Sequence, residues 1–316
     1  MQSFRHQRVR PRNTLVFLLV HFTVICSVAS GQKVAPKKVA ITNDSALHYV
    51  ERGDGEPIIF VHGLLDEYSV WLPQLERFAK EGYQAIAYSR RHNYPNENRI
   101  RPNHSASLEA DDLAALVRKL EFEKAHVVGH SYGAYTTLFF ALKYPELARS
   151  VTLAEAPIVP WLTELPADQK TVGEAQFTKL MVKGVKSAKA AVESGDQDAA
   201  IRAMFDTIGG DGKFDSLPPF VKEKCRRNTL ELKAFLLSDD RYPDVDREQV
   251  RRLAVPTLIL SGSKSVATAR FTDPELERLI PERSRKRIVF EGATHIMWIE
   301  QPVRFRETVL KFIRGQ

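Results

Sequence analysis

Ala125-His-Val-Val-Gly-His-Ser-Tyr-Gly133 is the stretch on which the fold is read. Ala125–Val128 is a short apolar run of strand length, and Ser131–Lys143 follows a helical pattern that Pro145 closes off. Gly129-His-Ser131-Tyr-Gly133 joins the two. A Gly-x-Ser-x-Gly turn from strand into helix holds its serine in a strained conformation and lifts the hydroxyl above the sheet. The glycines are required because neighbouring backbone leaves no room for side chains there. Ser131 is therefore the candidate nucleophile.

Outward from this turn, strand and helix patterns alternate. Lys38–Thr42 and Ala46–Val50, with Asn43-Asp44 between them, predict an antiparallel hairpin at a sheet edge. Pro57–Val61 is continuously apolar, as in a strand buried on both faces. A helix is predicted over Tyr68–Lys80, a strand over Gln84–Tyr88, a helix over Ser107–Leu120 and a strand over Ser150–Ala154. This order implies an α/β class: a mostly parallel central sheet covered by helices on both faces. Near Pro157 the alternation stops. Residues 158–250 carry helical patterns only, such as Phe177–Val185 and Ala199–Ile208. It resumes with a strand at Pro256–Leu260, a helix at Pro274–Ile280, a strand at Arg287–Phe290 and a helix at Pro302–Arg314. The organisation read from this is a core of residues 31–157 and 251–316. A helical cap, 158–250, is inserted after the sixth strand.

A serine hydroxyl needs a base. His295, in Gly292-Ala-Thr-His-Ile, follows the last strand and can hang over the sheet edge that carries Ser131. By these motifs the chain resembles proteins of the α/β-hydrolase fold over about residues 38–316. In most members the acid that orients the histidine is an aspartate after the strand corresponding to 256–260. Here that segment is Ser261-Gly-Ser-Lys-Ser-Val266, and Ser265 stands at the acid's place. In part of the fold family, some haloalkane dehalogenases among them, the acid lies at the end of the preceding strand, and the resemblance transfers that role to Glu155. Asp273, Asp239 and Asp240 are the alternatives, and Glu155 could instead be a solvated carboxylate or a partner of Arg90 or Arg91.

The same resemblance matches His62-Gly63-Leu64 to the family's His-Gly oxyanion segment, so the amides of Leu64 and Tyr132 would hold the oxyanion. His62 is expected to be a structural hydrogen-bonding residue. His62, Gly63, Trp161 and Trp298 are placed around the substrate, with Tyr132 as a further wall. Tyr88–Pro95 either lines the entrance or is a loop anchored by arginine salt bridges.

Composition excludes several other classes. The formal net charge is +7, but Arg5, Arg8, Arg10 and Arg12 precede the first acidic residue, Asp44. The remaining bias is weak and no nucleic-acid motif accompanies it. Lys179–Lys189 and Arg283–Arg287 read as solvated faces. No phosphate-cradling glycine loop, His-Glu-x-x-His or Cys-x-x-Cys element occurs, so neither a cofactor nor a metal is expected. Those arginines precede an apolar run, Leu15–Ala29, and small residues near 29–31. That layout matches an export signal over residues 1–30, cleaved near 29–31, with an uncleaved membrane anchor as the alternative. Only Cys26 and Cys225 occur, so the mature chain would have one thiol and no internal disulfide.

Together these readings predict an exported serine hydrolase of carboxylic esters, acting on a small molecule through Ser131, His295 and Glu155. The alternatives are C–C bond hydrolysis, amide hydrolysis or cofactor-free perhydrolysis on the same triad, or a catalytically silent ligand-binding homologue. Substrate and oligomeric state are not legible.

Overall fold

The computed structural model describes residues 35–316. The export signal expected at 1–30, and Cys26 with it, lie outside the described residues. Eight strands form one sheet: β1 Lys37–Ala40, β2 Ala46–Arg52, β3 Glu56–Val61, β4 Tyr83–Tyr88, β5 Ala125–His130, β6 Ala148–Ala154, β7 Thr257–Gly262 and β8 Arg285–Phe290. Their order is β1-β2-β4-β3-β5-β6-β7-β8. β2 is antiparallel to both β1 and β4, and every other pairing is parallel.

Twelve α-helices complete the described fold: α1 Leu72–Ala79, α2 Ala106–Lys119, α3 Tyr132–Lys143, α4 Lys170–Thr178, α5 Ser187–Glu193, α6 Gln197–Gly209, α7 Pro219–Arg227, α8 Thr229–Leu237, α9 Arg247–Arg251, α10 Ala267–Leu279, α11 Met297–Glu300 and α12 Pro302–Ile313. Side-chain alternation along the central strands decides which helix goes on which face. Ile58 and Phe60 of β3 pack with α1 and α12 through Leu75, Phe78, Phe305 and Val309. Ile59 and Val61 face the other way, toward α2, α3 and α10. Phe60 lies 5.2 Å from Trp71 and 5.1 Å from Phe78 between ring centroids. Each such side chain, fully buried, contributes roughly 1.5–3 kcal/mol.

Three local expectations change. The segment expected as helix 68–80 opens with a 3₁₀ turn, Tyr68–Trp71, before α1. Part of the segment expected as helix Phe177–Val185 is wound more widely, as a π-type stretch over Lys179–Lys186. The helix expected from Pro274 begins at Ala267 instead, with Pro274 inside it. Proline usually marks a helix start because it lacks an N–H. Here Pro274 and Arg270, four residues back, are both exposed. Water can satisfy the freed carbonyl while Ala269, Leu276 and Leu279 hold the inner face.

Parallel strands place the carboxyl ends of β3, β5, β6, β7 and β8 at one edge of the sheet. Between β6 and β7 the described chain is helical, with α4 to α9 and no strand.

Candidate active site

Ser131 sits between β5 and α3 at φ 53° and ψ −124°. This left-handed conformation is costly for a side chain with a Cβ and survives only where the surroundings impose it. Those surroundings are visible. A Cβ on Gly129 would lie 2.4 Å from the Gly133 carbonyl oxygen, and one on Gly133 would lie 2.4 Å from those of Val61 and His62. The Ser131 amide donates to the Ala154 carbonyl at 2.8 Å, fixing the turn to the end of β6.

Glu155, the next residue after β6, also has a positive φ, 59°. Its carboxylate is buried and triply held. Oε1 accepts from the Gly262 amide at 2.7 Å, and Oε2 takes both the Ser265 hydroxyl and His295 Nδ1. Ser265, at the place where the resemblance expects the acid, therefore donates its hydroxyl to the Glu155 carboxylate. With Nδ1–H directed to Glu155, the lone pair of His295 is on Nε2. Neither Arg90 nor Arg91 pairs with Glu155: Arg90 binds Glu109 and Glu231, and Arg91 binds Asp112.

Asp273 is close by but differently engaged. It accepts from the Ser261 hydroxyl at 2.6 Å. Burial, and then the charge of Glu155, push its carboxyl well above the ordinary range. Glu155 is the carboxylate paired with His295 among the described residues.

A further residue holds the histidine loop from below. His130 Nε2 donates to the His295 carbonyl at 2.8 Å, and the two rings lie 4.6 Å apart. Burial, and then His295, push His130 down to about 3, so it is neutral and its tautomer is set by that bond. Sequence reasoning passed over His130, although its place inside the Gly-x-Ser turn was the available signal.

Ser131, His295, Glu155, Leu64 and Tyr132 line one cavity, to which the helical segment between β6 and β7 contributes Gln176, Leu180 and Ile208. Tyr132 is the first residue of α3, where an amide has no intrahelical partner. Neither its N–H nor that of Leu64 is engaged by another main-chain or side-chain acceptor among the described residues. A Cβ on Gly63 would lie 3.1 Å from Ser131 Cβ, so the His62-Gly63 loop touches the nucleophile turn. The arrangement offers a hydroxyl, an imidazole with its carboxylate, and two free amides around one space.

The alpha/beta hydrolase family profile matches residues 58–308. The chain belongs to the alpha/beta hydrolase family. A 2-(acetamidomethylene)succinate hydrolase of Mesorhizobium japonicum is 34% identical over 105 residues, which are 33% of this chain and 37% of that protein. A bifunctional esterase/perhydrolase of Acinetobacter calcoaceticus is 31% identical over 117 residues, 36% of this chain and 42% of that protein. The matches thus span well under half the length of these curated relatives. A thermophilic esterase from Thermogutta terrifontis superposes with a TM-score of 0.67 at 21% identity, covering 89% of this chain and 99% of its own.

Several residues expected around the substrate do not line this hydrolase's cavity. His62 is fully buried in the loop after β3, where its Nδ1 donates to the Gly63 carbonyl at 2.8 Å. Gly63 contributes close backbone approach and no surface. Trp161 is buried with its indole N–H on the Val245 carbonyl at 3.1 Å. Trp298 packs against Trp71, 4.4 Å between ring centroids, and edge-on to His130. These two indoles fill the core under the site, and the walls are aliphatic residues together with Tyr132, as expected, and Tyr242. The Tyr88–Pro95 loop is held by its arginines, and Arg90 is completely inaccessible.

Proposed function

We propose that this alpha/beta hydrolase cleaves small, uncharged carboxylic esters through an acyl-enzyme on Ser131. The observation that carries the reading is the Glu155–His295 pair facing the same cavity as the strained Ser131. His295 Nε2 takes the Ser131 proton as Oγ bonds to the ester carbonyl carbon. The Leu64 and Tyr132 amides hold the oxygen that becomes negative. Glu155 stabilises the imidazolium and keeps its orientation. The C–O bond to the leaving alcohol breaks as His295 returns its proton to that oxygen. A water, deprotonated by His295, then attacks the acyl carbon and releases the acid and Ser131. The esterase named among the relatives supports the choice of ester, and a panel of ester, amide and β-diketone substrates separates it from the other reactions of such a triad. A silent homologue would rest on the missing aspartate at 265, and Glu155 supplies that charge.

The test is hydrolysis of p-nitrophenyl acetate. Ser131→Ala is expected to abolish turnover. Glu155→Gln is expected to lower kcat by about 10²–10⁴-fold, since it removes the charge and leaves the imidazole tautomer unfixed. Asp273→Asn is expected to stay within about tenfold, because asparagine mimics a carboxyl kept neutral by burial. An intact rate in Ser131→Ala rejects the reading, and equal effects of Glu155→Gln and Asp273→Asn reject the acid.

A further inference from the structure

We propose that Glu231, on helix α8 of the cap segment, is a positioning residue for the oxyanion amide of Leu64, acting through Leu65 and Arg90. The inference rests on the ester-hydrolase reading above.

The Gly63–Leu65 part of the loop after β3 is held by buried side chains. Glu231 Oε2 accepts from the Leu65 amide at 2.6 Å and from Asn93 Nδ2 at 2.7 Å. Its other oxygen pairs with the Arg90 guanidinium. Arg90 in turn donates to the His62 carbonyl at 3.0 Å and to the Gly63 carbonyl at 3.1 Å. The carbonyl of Gly63 and the N–H of Leu64 belong to one planar trans peptide and point in opposite directions. Fixing that carbonyl therefore fixes the direction of the oxyanion amide. Leu65 is at φ 57°, a strained conformation for a leucine that needs a partner to hold it. That partner lies 166 residues away in sequence.

The charges show why Glu231 can be replaced without leaving a buried charge unpaired. Arg90 stands between two buried carboxylates, Glu109 from α2 and Glu231 from α8. Burial pushes Glu231 up to about 7 against the pull of Arg90. For Glu109 burial acts the same way, but Arg90 wins and the carboxyl stays below its ordinary value. Glu109 is thus the firm counter-ion of Arg90, and removing Glu231 leaves the guanidinium paired. What is lost is the tie between the oxyanion loop and the cap.

The experiment is p-nitrophenyl acetate hydrolysis by the full chain, with rates normalised to active sites titrated by a fluorophosphonate. Glu231→Leu, of similar size but without an acceptor, is expected to lower kcat about 10–100-fold with KM within about threefold, because the amide acts on the transition state. Glu231→Gln keeps an acceptor for the Leu65 amide and is expected to recover most of that loss. The proposal is overturned if kcat of folded Glu231→Leu stays within about twofold of the parent, if KM alone changes, or if Glu231→Gln is as damaged as Glu231→Leu. Should Glu231→Leu not fold, Asn93→Ala takes its place, and it must lower kcat at constant KM or the proposal falls. Activity surviving Ser131→Ala would remove the underlying reading. A parent that is active, a dead Ser131→Ala and an unaffected Glu231→Leu would remove this inference alone.

Discussion

His295, Glu155 and Ser265 illustrate how a charge can be displaced within a fold. The carboxylate comes from the residue after β6, yet the Gly262 amide at the end of β7 and the Ser265 hydroxyl beyond it hold it in place. Hydrogen bonds to an ionised carboxylate are short and strong, so three donors leave it one orientation. Elsewhere a buried histidine works against stability. Neither ring nitrogen of His104 has a partner among the described residues, and burial pushes it down to about 4. As pH falls from its ordinary value of 6.5, the unfolded chain takes up a proton that the native ring refuses, so stability is lost between 6.5 and about 4. His104→Leu removes that loss. Its stability relative to the parent is expected to rise by on the order of 2 kcal/mol between pH ~7 and pH ~4.5, read from urea midpoints. An offset independent of pH would contradict the assignment.

At the scale of elements, the turn from β5 to α3 is a packing problem solved by two glycines. A methyl group at Gly133 meets two main-chain oxygens of β3 and the residue after it, not movable side-chain ends. Gly133→Ala is therefore expected to destabilise by about 1–3 kcal/mol or more, and to lower the proposed ester hydrolysis by shifting Ser131 against Leu64. A thermal scan showing an unchanged midpoint would mean that α3 can move away from β3 at no cost. The same tightness explains His130. In so crowded a turn, the side chain between glycine and serine must find a partner at once, and it takes the backbone of the histidine loop.

Over the whole molecule, the cavity lies where the sheet edge meets the helices between β6 and β7. Its walls are aliphatic residues such as Val159, Leu180 and Ile208 with the rings of Tyr132 and Tyr242 and a few neutral polar groups, and no lysine or arginine lines it among the described residues. The fixed charge inside is that of Glu155. A substrate bearing its own carboxylate would be desolvated there without a counter-ion and repelled. Dicarboxylates, of the kind named for one relative, are thus a poor match. A p-nitrophenyl ester of acetate is expected to exceed the corresponding monosuccinate in kcat/KM by more than about tenfold, about 1.4 kcal/mol of discrimination. Equal values would show that a cation reaches the acyl pocket.

Local pattern in the sequence was sufficient for the α/β class and for the alternation of strands and helices along the chain, though β5 and β7 each run two residues further than their apolar runs. Strand length, helical period and glycine spacing are properties of neighbours, and Gly129–Gly133 needs no distant contact to be read. Glu155 was reached there only through the family resemblance, with Asp273, Asp239 and Asp240 left open, and its pairing with His295 is a contact of the tertiary structure. The rest depended on who meets whom across long separations. Trp161 and Trp298 sank into the core instead of lining the cavity, since burial of a large ring depends on the volume left by partners far along the chain. Ser265 as a donor to Glu155, His130 as a brace and Glu231 behind Leu65 were set by three-dimensional proximity alone. A hydrogen bond is decided within a few tenths of an ångström, and no one-dimensional pattern carries that distance.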